Sequence, residues 1–347
     1  MKFIIVFGLT SVLLSTPVMA NENQVLVDVY GSRQVTTETI TKNPSMMNRL
    51  EAIRKIARTP DSVTSSENKK KMQELMESVL EDVVKMGDFS FLTMAYLFYP
   101  NNPRAYYTID IVDKGDKRLE VFQKNPDKTI PDPDHLIQSW QEYEKTGSDI
   151  FYKEKVGVAY KNCPVWHCVY GFDDEKLKKY QSIFDNNVDR NQAKLVQVLR
   201  DDKNPEKRAA AVYLLAHIKD GNRLVRILTP SMTDSNLLVR NNVMRVLAES
   251  LSRIKNPDFP IQKAVDALDY PTISDRNKSL YILDSLSKHS RYAKYLVRHA
   301  GPQLIGQLKM SQLNVHDLAY GILKRISGKN YGERDYQSWE AWLTSNQ

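Results

Sequence analysis

The sequence predicts an α+β chain, with a small mixed module followed by a mainly α solenoid. Three observations carry that reading. Apolar residues across 192–327 recur as helix pairs about four times, the mark of units that bury themselves only against their neighbours. Nearer the N-terminus, alternating valines and two later apolar runs read as strands around a helical stretch. The chain has 347 residues, 41% hydrophobic and 26% charged, an ordinary globular composition long enough for two or more domains.

Residues 1–20 read as an export leader. Lys2 gives the positive start, residues 3–14 are mostly apolar, and Val18, Met19 and Ala20 suit cleavage after Ala20. The apolar run is too short to span a bilayer. No cysteine follows it to take a lipid anchor. The mature chain is therefore expected to begin at Asn21, to carry no transmembrane segment, and to be periplasmic or secreted. That compartment argues against a nucleic-acid partner.

Residues 21–115 form the mixed module. Val25, Val27 and Val29 alternate as a strand does, and Gly31 ends the run. After Asn43 and Pro44, the residues Met46, Met47, Leu50, Ile53, Ile56 and Ala57 share one helical stripe. A second stripe joins Met72, Leu75, Met76, Val79, Leu80, Val83 and Val84, and Gly87 supplies its stop. Strands follow at 94–99 and 105–112, joined by a turn containing two prolines. This order, together with "VDVYGSRQVTTETI", "VVKMGDFSF" and "YYTIDIVDKGD", resembles a POTRA domain. The resemblance implies an envelope protein that handles partner chains, often by adding a strand to an open sheet edge. It does not carry over the insertase role of domains that lead into a membrane barrel.

Residues 116–172 read as a linker. Residues 125–134, "NPDKTIPDPD", are rich in turn formers, and a helix is expected over 135–145 with Leu136, Trp140 and Tyr143. The only cysteines, Cys163 and Cys168, are expected to form a disulfide in an exported chain. So short a loop adds about 2 kcal/mol on the chain-entropy model. A redox dithiol fits poorly, because four residues separate the thiols instead of two. A metal site on Cys163, His167 and Cys168 lacks a nearby fourth ligand. No metal and no cofactor is expected.

Residues 173–330 form the solenoid, opened by a capping helix over 172–184. The first unit pairs Leu195, Val198 and Leu199 with Ala210, Ala211, Leu214, Leu215 and Ile218, and Pro205 suits the first turn of its second helix. The second pairs Leu224, Ile227 and Leu228 with Val239, Val243, Val246 and Leu247. The third pairs Ile261, Ala264, Val265 and Leu268 with Leu280, Leu283 and Leu286. The fourth ends in Val315, Leu318, Ala319, Ile322, Leu323 and Ile326, and Gly301-Pro302 splits its first helix. Asp202 precedes Arg208 by six positions and Asp234 precedes Arg240 by six, whereas Asp269 precedes Arg276 by seven. An aspartate in the turn and an arginine in the next helix can bond along a stack. This pattern, best seen in "DSNLLVRNNVMRVL", resembles the HEAT repeat. A plain helical bundle is the alternative, and the aspartate–arginine spacing argues against it. Residues 331–347, with Trp339 and Trp342 on one short helix, read as a C-terminal cap.

The net charge of +7 is uneven. Residues 190–334 hold 25 Lys and Arg against 13 Asp and Glu, a surplus of 12, which leaves the remainder at −5. A basic solenoid suits an anionic partner. No His-Glu-x-x-His helix, Gly-x-Ser-x-Gly elbow or phosphate-binding glycine loop is present. The expected function is therefore a non-enzymatic scaffold that binds a protein or peptide partner of acidic character. In a HEAT-like stack the second helices line the groove, so Arg245, Lys278 and Lys324 are candidate contacts. Two other readings stand beside this one. One is an envelope hydrolase or lyase with a site near His167. The other is peripheral binding to an anionic lipid or lipopolysaccharide surface, which would be salt-sensitive.

Overall fold

The computed structural model describes residues 5–8, 24–59, 65–99, 102–154 and 162–346. The proposed cleavage site at 18–20 lies outside them. The N-terminal sheet begins with a short strand β1 (Ile5–Gly8), followed by β2 (Val25–Tyr30), β3 (Phe89–Phe98) and β4 (Ala105–Asp113). β2 runs parallel to β4, with Val25 opposite Ala105 and Tyr30 opposite Asp110. β3 pairs antiparallel with β4, and β1 lies parallel along the other edge of β3. Helices α1 (Thr37–Thr41), α2 (Pro44–Ala57) and α3 (Ser66–Val84) fall between β2 and β3 in the chain. Gly31 turns the chain out of β2 at φ +88°, where a Cβ would collide with Arg118 and the Ile111 carbonyl.

Strand alternation gives this sheet two different faces. Val25, Val27, Ala105, Tyr107, Ile109 and Ile111 join Leu50, Ile53, Met76, Val79 and Val83 in the module's core. The intervening positions, Asp28, Tyr30, Thr108 and Asp110, bond or stack against the helical half of the chain. The sheet is thus covered on both sides, which is why Thr108 and Asp110 are fully buried in a strand.

The helical part comprises α4 (Leu136–Glu154), α5 (Glu175–Asp201), α6 (Pro205–Leu215), α7 (Gly221–Leu228), α8 (Leu237–Arg253), α9 (Gln262–Asp266) and α10 (Ile273–Ser287). It ends with α11 (Ser290–His299), α12 (Gly301–Leu308), α13 (Leu313–Ser327) and α14 (Tyr336–Thr344). The second helices of the units, α6, α8, α10 and α13, pack in that order. One apolar core runs from Leu136 on α4 to Leu343 on α14. The expected capping helix and the first helix of unit one are a single helix, α5, because apolar residues continue in phase through Tyr180, Phe184, Val188 and Leu195. Asn204, Asn236 and Thr272 each cap a second helix with a side-chain oxygen. In the fourth unit Gln312 makes no such bond. The Tyr99 hydroxyl, just past β3, supplies the acceptor there, taking the Asn314 amide at 3.0 Å, and Asp28 of β2 holds the preceding Ser311 amide at 2.8 Å and its hydroxyl at 3.0 Å.

The segment at 114–135 is a strap. It runs back along the ends of the units, from the third to the first. The Gln123 amide donates to the Thr233 carbonyl, the Lys203 amide to the Lys128 carbonyl, and the Ile130 amide to Asp202. Asp134 and His135 take positive φ where the strap turns into α4. These bonds explain how a sequence rich in turn formers is ordered: its backbone groups are satisfied by the stack it crosses.

Candidate functional site

A ladder of buried ion pairs links successive units. Arg208 is fully buried and donates to both Asp234 oxygens, from Nε at 2.9 Å and Nη2 at 2.8 Å. Its Nη1 donates to the Asp202 carbonyl, so each arginine ties its own turn to the next unit. Arg240 repeats this with Asp275 at 2.9 Å and the Asp234 carbonyl at 2.7 Å. Arg276 bonds the Pro271 carbonyl and then leaves the stack, pairing with Asp110 of β4 at 2.8 Å.

Asp269 is not a rung of the ladder. It ends a 3-10 turn at the surface and accepts from Gln303 at 3.3 Å. The extra residue in this turn removes its carboxylate from the ladder, and Asp275 takes the place. Asp275 is held by the N-cap Thr272, whose hydroxyl donates to it at 2.9 Å. Asp202, at the start, accepts from Lys207 at 2.8 Å, and that bond and backbone amides hold its carboxyl below the usual range against the effect of burial. Aromatic rings cover two of the arginines, Phe122 at 3.9 Å from Arg240 and Tyr30 at 3.5 Å from Arg276.

The expected contact residues lie on α8, α10 and α13. Helix α8 exposes Leu238 (47%) and Arg245, and α10 exposes Tyr281 (37%) beside a half-buried Lys278. Lys278 donates to the Asn277 side-chain oxygen at 2.9 Å. Its surroundings push the ammonium down to about 7, chiefly by burial and then by the nearby Arg245 charge, with Asp275 opposing. Tyr281 is raised by burial and lowered by the same arginine. The Lys278 ammonium lies 5.6 Å from the Tyr281 ring, and the Arg245 charge acts on both. Lys324 lies on the following helix, with its ammonium 4.2 Å from the Tyr320 ring. Sequence periodicity missed Leu238 and Tyr281, because an apolar residue at helical spacing reads as core.

Over α6 the chain packs its own aromatic residues. Trp140 of α4 stacks on Tyr213 of α6 at 4.9 Å, and His167 stacks on the same ring at 5.4 Å. Cys163 and Cys168 form a disulfide that closes the loop carrying His167. The Trp166 indole donates to the Ile218 carbonyl at 2.7 Å, and Arg253 donates to the Val165 carbonyl. His167 is 8% exposed and faces Glu249 through Nδ1, while its Nε2 is buried without a hydrogen-bond partner. Among the described residues no cluster of three or more His, Cys, Asp or Glu is placed to hold a metal ion. Nor is any helix among them long and apolar enough to cross a membrane.

The repeated helix pairs have a counterpart among known families. Residues 193–280 match the family model of HEAT repeats. Those residues run from within α5 to the middle of α10 and include Arg208, Asp234, Arg240, Asp275 and Arg276. Comparison with curated proteins and with solved structures finds no match.

Proposed function

We propose that this protein is a docking scaffold whose open groove on α8, α10 and α13 receives an acidic segment of a protein partner. One observation carries the reading. Arg245 of α8 and Lys278 of α10 lie on packed neighbouring helices, the arginine charge acts on the ammonium, and among the described residues neither is ion-paired with a carboxylate. Two like charges held together raise each other's energy, and a carboxylate between them removes that cost. Tyr281 and Leu238 add apolar contact of the kind that anchors interfaces. HEAT repeats support a protein-interaction role, and the same fold supports a non-enzymatic one. His167 reads as packing, because it is stacked on Tyr213 under the closed loop.

The proposal includes export, with residues 1–20 as a cleavable leader whose removal takes β1 from the edge of β3 and leaves β2, β3 and β4, and a periplasmic or secreted mature chain. The strand–helix–helix–strand–strand order of the front module supports a POTRA-like envelope role, and peripheral envelope contact is compatible with it. No nucleic acid and no cofactor is invoked. The test is a photo-cross-linking amino acid in place of Tyr281, expressed in cells, with and without Arg245→Glu. A cross-linked partner that disappears in the Arg245→Glu background, at unchanged melting temperature, is expected. Cross-links that persist there would overturn the assignment of the groove. Cross-links only to lipid, lost at high salt, would move the assignment to an anionic membrane surface.

A further inference from the structure

The two edges of the front sheet are protected in different ways. At the β2 edge the Val29 amide donates to the Thr37 hydroxyl at 3.0 Å, α1 packs against the strand, and the strand itself carries Asp28. A satisfied amide, a covering helix and a charge within the strand all discourage another strand from adding there. At the β3 edge the cover is β1, which pairs parallel with Met94–Leu97. β1 belongs to residues 1–20, and the inference rests on their removal after Ala20. The mature chain then ends its sheet on β3, with the amides and carbonyls that faced β1 left without strand partners.

β3 is poorly suited to stand as an open edge. Its ten residues, Phe89–Phe98, include no charge, no proline and no glycine. Both of its faces are apolar. Leu92, Met94 and Tyr96 lie in the module's core, whereas Ala95 and Leu97 pack toward the helical half. An exposed strand of this composition is a template for pairing. Packing on both faces also holds it in the extended form, so little further ordering is needed to pair.

We propose that in the mature chain this edge pairs with β3 of a second copy, antiparallel across a two-fold axis, giving a continuous sheet of three strands from each copy. Such an axis, normal to the sheet, sets each residue of β3 opposite one an even number of positions away. Side chains of one face therefore meet the same face of the copy, apolar against apolar on both sides. A second copy brings a ten-residue strand, whereas β1 covers four positions. Because the β2 edge is guarded, the pair closes and does not extend into a fibre.

Sedimentation equilibrium on residues 21–347 tests this. The mature chain is expected to be a dimer, and the full chain, with β1 in place, a monomer. A synthetic peptide of residues 2–9 supplies β1 in trans and is expected to halve the mass of the mature species. The same peptide, N-methylated at every residue, has no amide to donate and is expected to leave the dimer intact. A monomeric mature chain overturns the proposal, and one that nonetheless binds the peptide assigns the edge to a strand of another protein. Equally fatal are a dimer that the peptide leaves intact, a dimer in both chains, or a species that keeps growing with concentration. N-terminal sequencing of the protein from envelope extract reports separately on the leader: a chain still beginning at Met1 removes the cleavage, whatever the recombinant chain does. None of these outcomes bears on the groove, which is read by the Tyr281 cross-link.

Discussion

Asp110→Ala is the most revealing perturbation, because one side chain joins the two halves of the chain. Its Oδ1 holds the fully buried Arg276 at 2.8 Å, and its Oδ2 accepts the Ile273 amide at the start of α10, also at 2.8 Å. Removing one member of a buried ion pair costs about 3–5 kcal/mol, because the remaining charge is buried without its partner. Losing a helix-capping acceptor costs about 1 kcal/mol more. The two losses share one atom group and are not additive, so about 4 kcal/mol is expected. That is a large share of the about 5–15 kcal/mol that stabilises a typical domain. Urea unfolding, followed in parallel by circular dichroism and tryptophan fluorescence, measures it. The wild-type chain is expected to give coincident transitions. The variant is expected to separate them, since the module no longer caps α10. Asp110→Ala combined with Arg276→Met should recover part of the loss, because the unpaired guanidinium is then gone. A loss under about 1 kcal/mol would refute the reasoning, since it is the value of a solvent-exposed pair.

Other outcomes follow from the same geometry. Lys278 is held down near 7 in the folded state against 10.5 in the free side chain. The unfolded chain therefore binds the extra proton between those values, and stability should rise with pH across that window, an effect that Lys278→Met abolishes. An acidic partner needs the charged form, so its affinity should fall by up to about tenfold per pH unit above 7, measured by anisotropy titrations at fixed salt. A Cys163→Ser, Cys168→Ser double variant should lose about 2 kcal/mol and shift the Trp166 emission as the loop leaves Ile218. Unchanged emission would show that Trp166 and Arg253 hold the loop without the bond. Trp339 is fully buried and bonds the Gly332 carbonyl at 3.0 Å. Trp339→Ala should cost about 3–5 kcal/mol in thermal or urea melts.

Much of the helical half is legible in the chain because its signals are local. Asn204 followed by Pro205, or Thr272 before Ile273, fixes a helix start within a few residues. The six-residue interval from Asp234 to Arg240 marks a ladder position for a similar reason: both belong to one turn and its helix. At the third unit the interval becomes seven, and spacing alone points to Asp269. Only the packed structure shows Asp275, braced by Thr272, in the rung. The strap was harder to read. Residues 125–134 look like a loop because their backbone partners, such as Asp202 and Lys203, are some seventy positions away.

The groove was only half visible. Arg245, Lys278 and Lys324 stand out as basic residues on second helices, but charge spacing does not reveal which of them share a neighbourhood. Nor does it reveal that α4 and the disulfide loop fill the ground over Tyr213.

The sequence by itself determined the helix pairs, the succession of strands and helices along residues 25–112 and the arginines beneath the stack. Each of these depends on residues within one or two turns of each other. Tertiary structure decided where the last arginine goes. Asp110 lies 166 positions from Arg276, on a strand whose alternation reads as a solvated polar face. A pairing between distant segments has no period. It forms because a charge enclosed by protein must find its counter-charge, and here the sheet carries it.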